Sequence, residues 1–233
     1  LYLRLNVDAV VAQLPSYYPL STAEMEAYFR SLAAAVPGPL LLYNIPQTTH
    51  LSVPIDVVAR LSELQNVVGF KDSEVADNRP ERVAATLRGK DGFATFLGVA
   101  AQTTRALKLG FDGAVPSAAN LSPQLWRDLY ATARAKDWPR AEARQRDANA
   151  VSAIYQGTRS HGQSIAALKA GVAELGLCEP HMLPPLLAAN EQERASIREQ
   201  LAANRKTPTG QDPENTAEVQ STRSHLSVSQ DPP

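Results

Sequence analysis

Lys71 ends an apolar run, in the stretch N-V-V-G-F-K-D-S-E that begins at position 66. A charged ammonium is costly to bury, so an apolar residue is the usual occupant of such a position. The residue alone allows two interpretations. Lys71 either packs its aliphatic stem and extends its head to water, or it is desolvated, so that a neutral amine is available to attack a carbonyl.

Tyr43 ends another apolar run, P-L-L-L-Y, which begins at Pro39. A lysine amine that condenses with a ketone forms an iminium, and the iminium accepts electrons when an adjacent carbon–carbon bond breaks. A phenol nearby can relay the protons that these steps need. Lys71 and Tyr43 would supply that pair, or Tyr43 is a core tyrosine whose hydroxyl finds a local partner.

The elements that must position these residues alternate between apolar runs and amphipathic stretches, which predicts parallel α/β architecture. Strands are predicted over residues 8–14, 39–43, 67–71, 93–98 and 113–116. Helices are predicted over residues 21–36, 52–64, about 80–91, 101–109 and 122–135. Ser21 and Glu24 have capping-box spacing, and Ser52 is expected to cap the second helix.

The predicted strands all end in residues that could line one site. Tyr17 and Tyr18 follow the first strand, Gly98 ends the fourth, and P-S-A-A-N follows the fifth. Active sites lie at these ends both in closed α/β barrels and in doubly wound open sheets. No G-x-G-x-x-G follows a strand, which removes the usual sign of a dinucleotide site, although an open sheet of another kind stays an alternative.

The chain after Asp137 is predicted to be helical only, near residues 139–154, 163–175 and 191–203. Residues 205–233 are polar, proline-bearing and aperiodic, which predicts a disordered tail. We therefore expect an α/β part over residues 1–136, a helical extension over 137–204, and the tail.

The composition excludes several function classes. The 233 residues are 44% hydrophobic with a net charge of −1, which gives no sign of binding to nucleic acid or to a membrane surface. No apolar run approaches the roughly 18 residues of a membrane span. The single cysteine, Cys178, is expected to pack, and a reducing cytoplasmic setting fits.

The sequence shows no motif for a metal site, a phosphate-binding loop or a serine nucleophile. The four histidines are scattered, and their spacing suggests no metal site. Asp72 and Glu74 are expected to lie in a solvated loop that also contacts substrate hydroxyls, rather than to bind a cation. Neither G-x-S-x-G nor a P-loop occurs.

Four segments together carry a family resemblance. L-L-Y-N-I-P-Q-T-T, N-V-V-G-F-K-D-S, F-L-G and G-F-D-G-A-V-P-S-A-A-N-L-S-P resemble the dihydrodipicolinate synthase / N-acetylneuraminate lyase family in order and spacing. The similarity runs from about Asp8 to about Leu201. It implies class I, Schiff-base lyases on a TIM barrel that need no cofactor, act on a 2-keto acid and are commonly dimers or tetramers.

The resemblance also implies residue roles. Lys71 is similar to the Schiff-base lysine and Tyr43 to the proton-relay tyrosine. Gly98, Pro116 and Ser117 fall where the family lines its pocket, and Tyr18 falls where relatives contribute a hydroxyl across a subunit contact. Thr48 stands where the synthases commonly carry an arginine that holds a substrate carboxylate. Together with P-S-Y-Y-P-L-S and K-D-S, this favours a sialic-acid or 2-keto-3-deoxy sugar-acid lyase over lysine biosynthesis.

One departure from the family concerns the front of the chain. Members have three β/α units before the strand that matches Asp8–Leu14, and the second carries a G-T-T-G-E motif that holds the keto acid's carboxylate. No stretch of this sequence matches that motif, and the predicted strands correspond to strands 4–8 of the barrel. A complete barrel usually takes about 250 residues. Two expectations therefore stand, an N-terminally truncated lyase or a non-catalytic remnant that pairs with another chain.

Overall fold

The computed structural model describes residues 7–206 and contains a five-stranded parallel sheet. The strands are β1 (Val10–Gln13), β2 (Leu40–Asn44), β3 (Val67–Asp72), β4 (Ala94–Leu97) and β5 (Gly113–Ala114). They lie side by side in chain order, and each pairs parallel to the next. The predicted parallel α/β arrangement is confirmed, and β5 is shorter than the predicted strand.

Helices connect the strands and continue beyond the sheet. Those up to β5 are α1 (Thr22–Ala35), α2 (Pro46–Thr49), α3 (Ile55–Leu61), α4 (Arg79–Leu87) and α5 (Thr103–Leu109). Those after β5 are α6 (Pro123–Arg134), α7 (Trp138–Tyr155), α8 (His161–Glu174) and α9 (Glu191–Lys206). All were predicted except the single turn α2. The predicted tail begins at residue 205, within α9, and residues 207–233 lie outside the described residues.

The predicted caps have different outcomes. At α1 the Ser21 amide donates to the Glu24 carboxylate over 2.7 Å, and the Glu24 amide donates to the Ser21 hydroxyl, so the capping box is confirmed. The expected Ser52 cap is wrong, because α3 begins only after Pro54. The Ser52 hydroxyl instead donates to the Glu74 carboxylate over 2.7 Å.

The two faces of the sheet have different surroundings, because successive side chains of a strand point to opposite faces. One face is buried against the helices and includes Leu40, Leu42, Phe70 and Leu97, each at most 1% exposed. The other face carries half-buried side chains at alternate positions of β2, β3 and β4. Tyr43 and Lys71 belong to this second face.

A second apolar core joins α5 to the helices that follow the sheet. It includes Leu107 of α5 together with Leu129, Ala148 and Ile197 of α6, α7 and α9. Gln145 of α7 is buried in the same region, where its side-chain oxygen accepts from the Thr104 amide over 2.9 Å. Its side-chain amide donates to the Ala100 carbonyl over 3.0 Å. Helix α7 is therefore bonded to α5 and to the segment before it, between β4 and β5.

Two further findings concern the surface of the described chain. Cys178 is exposed, so the expectation that it packs is wrong; it lies in the loop after α8 rather than on a buried helix face. No helix within residues 7–206 is long and apolar enough to cross a membrane.

Candidate active site

Strand register places Lys71 beside Tyr43. The two residues are direct partners in the β2–β3 ladder, so their side chains leave the sheet on the same face. The Lys71 Nζ atom lies 4.0 Å from the centroid of the Tyr43 ring. An amine in this position is available to a ligand above the sheet face, with a phenol in van der Waals contact with it.

Ser73 and Gly98 complete the surroundings of this pair. The Ser73 hydroxyl donates to the Tyr43 phenolic oxygen over 3.3 Å. A Cβ atom on Gly98 would lie 1.9 Å from the Ser73 Oγ atom and 3.3 Å from the Lys71 Cε atom. Only a glycine leaves room for Ser73 and Lys71 at this strand end.

A buried polar network lies behind the pair, on the opposite face of the sheet. Asp72 is 1% exposed, and its carboxylate accepts from Asn44 over 2.7 Å and from the Arg79 Nε atom over 2.6 Å. Glu74 lies 3.3 Å from the same Arg79 atom. The expectation of a solvated loop is therefore wrong for Asp72, because the alternation of β3 directs its side chain inward, where it pairs with Arg79. Glu74 does lie in the loop after β3, with its side chain 23% exposed.

The electrostatics of Asp72 reflect this location. Burial raises the pKa of the Asp72 carboxyl above its ordinary value of 3.8, because desolvation disfavours the charged form. The Arg79 charge and the hydrogen bonds from Asn44 and Arg79 oppose that shift. The ion pair and these hydrogen bonds thus offset part of the penalty that burial places on the charged carboxylate.

The other predicted site residues follow neighbouring strands. Thr48 lies in α2 after β2, and its hydroxyl donates to the Ile45 carbonyl over 3.3 Å. Ser117 follows Pro116 after β5 and shares a 2.7 Å hydrogen bond with the Tyr155 hydroxyl. Tyr18 follows β1, is 68% exposed and stacks edge-on against Tyr17. Their substrate-binding roles stay predictions.

Sequence reasoning missed the buried network behind the lysine–tyrosine pair. Asn44 and Asp72 come directly after Tyr43 and Lys71, at positions that strand alternation assigns to the buried face. A polar residue at such a position requires a buried partner, and this signal could have identified Asn44 and Asp72. Arg79 carried no comparable signal, because its burial depends on the path of the loop before α4.

The described residues include no group of three or more histidine, cysteine, aspartate or glutamate side chains arranged to hold a metal ion. The groups at the strand ends are an amine, a phenol and a hydroxyl, which suit covalent and proton-transfer chemistry on a carbonyl compound.

Known proteins are similar to this chain over most of its length. The family model described as "Dihydrodipicolinate synthetase family" matches residues 3–204. The chain belongs to this family. Its members among the curated relatives include a 4-hydroxy-tetrahydrodipicolinate synthase of Neisseria meningitidis, 32% identical over 199 residues, which cover 85% of this chain and 66% of the relative.

A second curated relative carries a different activity in its name. The "Probable 2-dehydro-3-deoxy-D-pentonate aldolase YjhH" of Escherichia coli K12 is 27% identical over 201 residues, which again cover 85% of this chain and 66% of the relative. The chain thus spans slightly less than two thirds of the length of these dihydrodipicolinate synthetase family proteins.

Solved structures of the family are similar in fold over the matched residues. The dihydrodipicolinate synthase of Bacteroides thetaiotaomicron matches with a TM-score of 0.78 at 28% identity, covering 84% of this chain and 66% of that chain. YagE of Escherichia coli K12, solved in complex with pyruvate, matches in fold with a TM-score of 0.79 at 24% identity, covering 87% and 68%. These likenesses support the expected TIM-barrel α/β fold class.

Proposed function

We propose that this family member is a Schiff-base lyase that acts on a pyruvate-like 2-keto acid. The observation that carries the proposal is the lysine–tyrosine pair, with the Lys71 Nζ atom 4.0 Å from the Tyr43 ring at the carboxyl ends of adjacent parallel strands. In α/β folds this edge of the sheet is where catalytic residues lie.

The first step is covalent. The neutral Lys71 amine adds to the C2 carbonyl of the keto acid, and loss of water from the resulting carbinolamine leaves an iminium between Nζ and C2. Before cleavage, a base removes the proton from the substrate's C4 hydroxyl. The C3–C4 bond then breaks, its electron pair moves to the iminium nitrogen as an enamine forms, and an aldehyde is released.

Tyr43 is placed to carry the protons of this sequence. Its oxygen takes the C4 hydroxyl proton and returns a proton to C3 of the enamine, after which water hydrolyses the iminium and frees pyruvate. The Ser73 hydroxyl donates to the Tyr43 oxygen and would stabilise it when it lacks its proton. The condensation direction uses the same groups in reverse order.

The substrate we favour is a sialic acid or a 2-keto-3-deoxy sugar acid, with cleavage or dehydration as the reaction. The likeness to the Escherichia coli pentonate aldolase supports this choice, as does Thr48 in the place where the resemblance implies an arginine in the synthases. The second candidate is 4-hydroxy-tetrahydrodipicolinate synthesis, favoured by the 32% identity to the Neisseria meningitidis enzyme.

We further propose that the protein is a cytoplasmic homo-oligomer. The Tyr17 and Tyr18 rings stack edge-on at 4.7 Å and remain 84% and 68% exposed, which supports contact with a second copy at the end of β1. Exposed aromatic side chains of this kind are enriched at protein interfaces.

Borohydride trapping tests the proposal. The chain is incubated with pyruvate, reduced and digested, and the modified peptide is located by mass spectrometry, with circular dichroism to confirm folding. We expect an adduct on Lys71 that is absent in Lys71→Arg and retained in Lys169→Arg, a matched change at a half-buried lysine of α8.

Two outcomes separate the alternatives. Trapping at Lys71 followed by assay with sugar-derived keto acids and with aspartate semialdehyde distinguishes the lyase from the synthase. A folded chain that gives no adduct would contradict the proposed activity and favour the expected alternative of a non-catalytic protein.

A further inference from the structure

The buried residues that follow the lysine–tyrosine pair form one connected set. Asn44 and Asp72 are partners in the β2–β3 ladder, one position beyond Tyr43 and Lys71. The Asn44 side-chain amide donates to Asp72 over 2.7 Å and to Glu74 over 2.9 Å, and its oxygen accepts from the Val53 amide over 3.0 Å. Both polar atoms of the Asn44 side chain are thus hydrogen-bonded, to the end of β3, to the loop after it and to the segment before α3.

Arg79 joins this set from the first position of α4. Its Nε atom donates to Asp72 over 2.6 Å, and an Nη atom donates to the Val53 carbonyl over 2.7 Å. The side chains of Arg79 and Asp72 are only 6% and 2% exposed. One guanidinium therefore holds the end of β3 and the segment before α3 at the same time.

The backbone bonds of the site depend on the same strand ends. The Ser73 amide donates to the Asn44 carbonyl over 2.9 Å, and the Gly98 amide donates to the Asp72 carbonyl over 2.7 Å. Ser73 and Gly98 are the residues that contact Tyr43 and Lys71 on the opposite face. A shift of Asp72 would consequently move both the hydroxyl that contacts Tyr43 and the glycine that packs against Lys71.

A buried ion pair is an expensive way to stabilise a fold, because desolvation offsets much of the attraction. Its directional hydrogen bonds instead favour one geometry over others. We propose that Arg79, with Asp72 and Asn44, is a positioning residue that fixes the Lys71 amine against the Tyr43 ring. An effect of Arg79 on catalysis rests on the proposed function, whereas its effect on the position of the Lys71 amine does not.

The test compares Arg79→Lys with Leu129→Ala. Arg79→Lys keeps the charge but loses the fork that reaches Asp72 and Val53, whereas Leu129→Ala opens the fully buried second core and leaves the strand ends unchanged. Each folded chain is labelled with a limiting amine reagent, and the rates at Lys71 and at half-buried Lys90, which lies outside the second core, are read by mass spectrometry. Their ratio cancels general loosening.

We expect the Lys71 to Lys90 ratio to rise about threefold or more in Arg79→Lys, because the released amine leaves the ring, and to stay unchanged in Leu129→Ala. An unchanged ratio in Arg79→Lys, or an equal rise in both variants, overturns the proposal. If Arg79→Lys does not fold, the ratio in Glu74→Gln decides, since Glu74 accepts from Asn44 over 2.9 Å and lies 3.3 Å from the Arg79 Nε atom but is more exposed, at 23%; no rise there also overturns it.

Trapping with pyruvate is run on the same chains. In a catalytically competent wild type, we expect Arg79→Lys to slow adduct formation per folded molecule by roughly tenfold or more, as a small misplacement of reacting groups does. A wild type that shows no adduct contradicts the proposed function alone, because the labelling ratio still decides whether Arg79 positions Lys71.

Discussion

The strand ends and the helical part after β5 differ in the burial of their ion pairs. At the strand ends Arg79 and Asp72 are buried together beneath the lysine–tyrosine pair. In the helical part the second core is apolar apart from neutral groups such as Gln145, and the Arg198–Glu174 ion pair lies nearer the surface, with the Arg198 side chain 51% exposed. Among the described residues, the buried charges Arg79 and Asp72 thus lie at the strand ends, beneath the proposed site, whereas the core of the helical part is mostly alanine and leucine.

The largest difference between the two regions should appear when one arginine is removed from each. We expect Arg79→Met to destabilise the fold by about 3–5 kcal/mol, because Asp72 is left buried and unpaired. Arg198→Met should leave the urea midpoint nearly unchanged, because its partner Glu174 regains water. Urea denaturation followed by circular dichroism measures both, and equal midpoint shifts would contradict the contrast.

Most of the fold could be predicted from sequence, because its signals are local. The apolar runs that end in Tyr43 and Lys71 specify strands of similar length, and parallel pairing then brings the two residues together without further information. The capping box at Ser21 is equally local.

The support of the site could not be predicted, because it depends on contacts between distant segments. Asp72 belongs to a polar run, K-D-S-E, that is typical of a solvated loop, and only Arg79 makes its burial tolerable. Ser52 had the sequence of a helix cap, yet its hydroxyl bonds to Glu74, 22 positions away. Which of two polar partners a side chain selects is decided by tertiary structure.

Replacing one glycine by alanine in each region should give a second, smaller difference in stability. We expect Gly98→Ala to destabilise by about 1–3 kcal/mol, because its Cβ would overlap the Ser73 hydroxyl. In α8 a Cβ on Gly171 would meet the flexible end of Leu121 at 2.9 Å, so Gly171→Ala should be neutral or stabilising by up to about 1 kcal/mol through helix propensity. Thermal or urea unfolding measures both changes.

A matched double variant checks the cause. Replacing Ser73 by glycine removes the atoms that the new methyl group meets, so Gly98→Ala should cost much less stability in a Ser73→Gly background. An equal cost in both backgrounds would show that the overlap with Ser73 is not the reason.

The smallest effect is a difference in the pH dependence of stability. The pKa of Asp72 is raised by burial. The stabilisation that this shift adds to the free energy of unfolding is therefore present below pH 3.8 and is lost as the pH rises through the raised pKa. The pKa of Glu174 is lowered because Arg198 donates hydrogen bonds to it, so its contribution is present above 4.5 and is lost as the pH falls.

The unfolding free energy of the wild type, minus that of each variant, should therefore change with opposite sign over the acidic range. With rising pH the difference from Asp72→Asn should fall, and the difference from Glu174→Gln should rise. Urea unfolding at several pH values measures both, and slopes of the same sign would contradict the assignment of a raised pKa to Asp72.

Gln145 has a consequence for how the chain loses its structure. Its side chain supplies a buried acceptor to Thr104 and a buried donor to Ala100, and the core around it includes Leu107 of α5 as well as Ile197 of α9. Detaching α7 would leave the Thr104 amide and the Ala100 carbonyl without these hydrogen-bond partners. We therefore expect α5 and the helices after β5 to open as one cooperative unit, with matched amide hydrogen-exchange protection in α5 and α7.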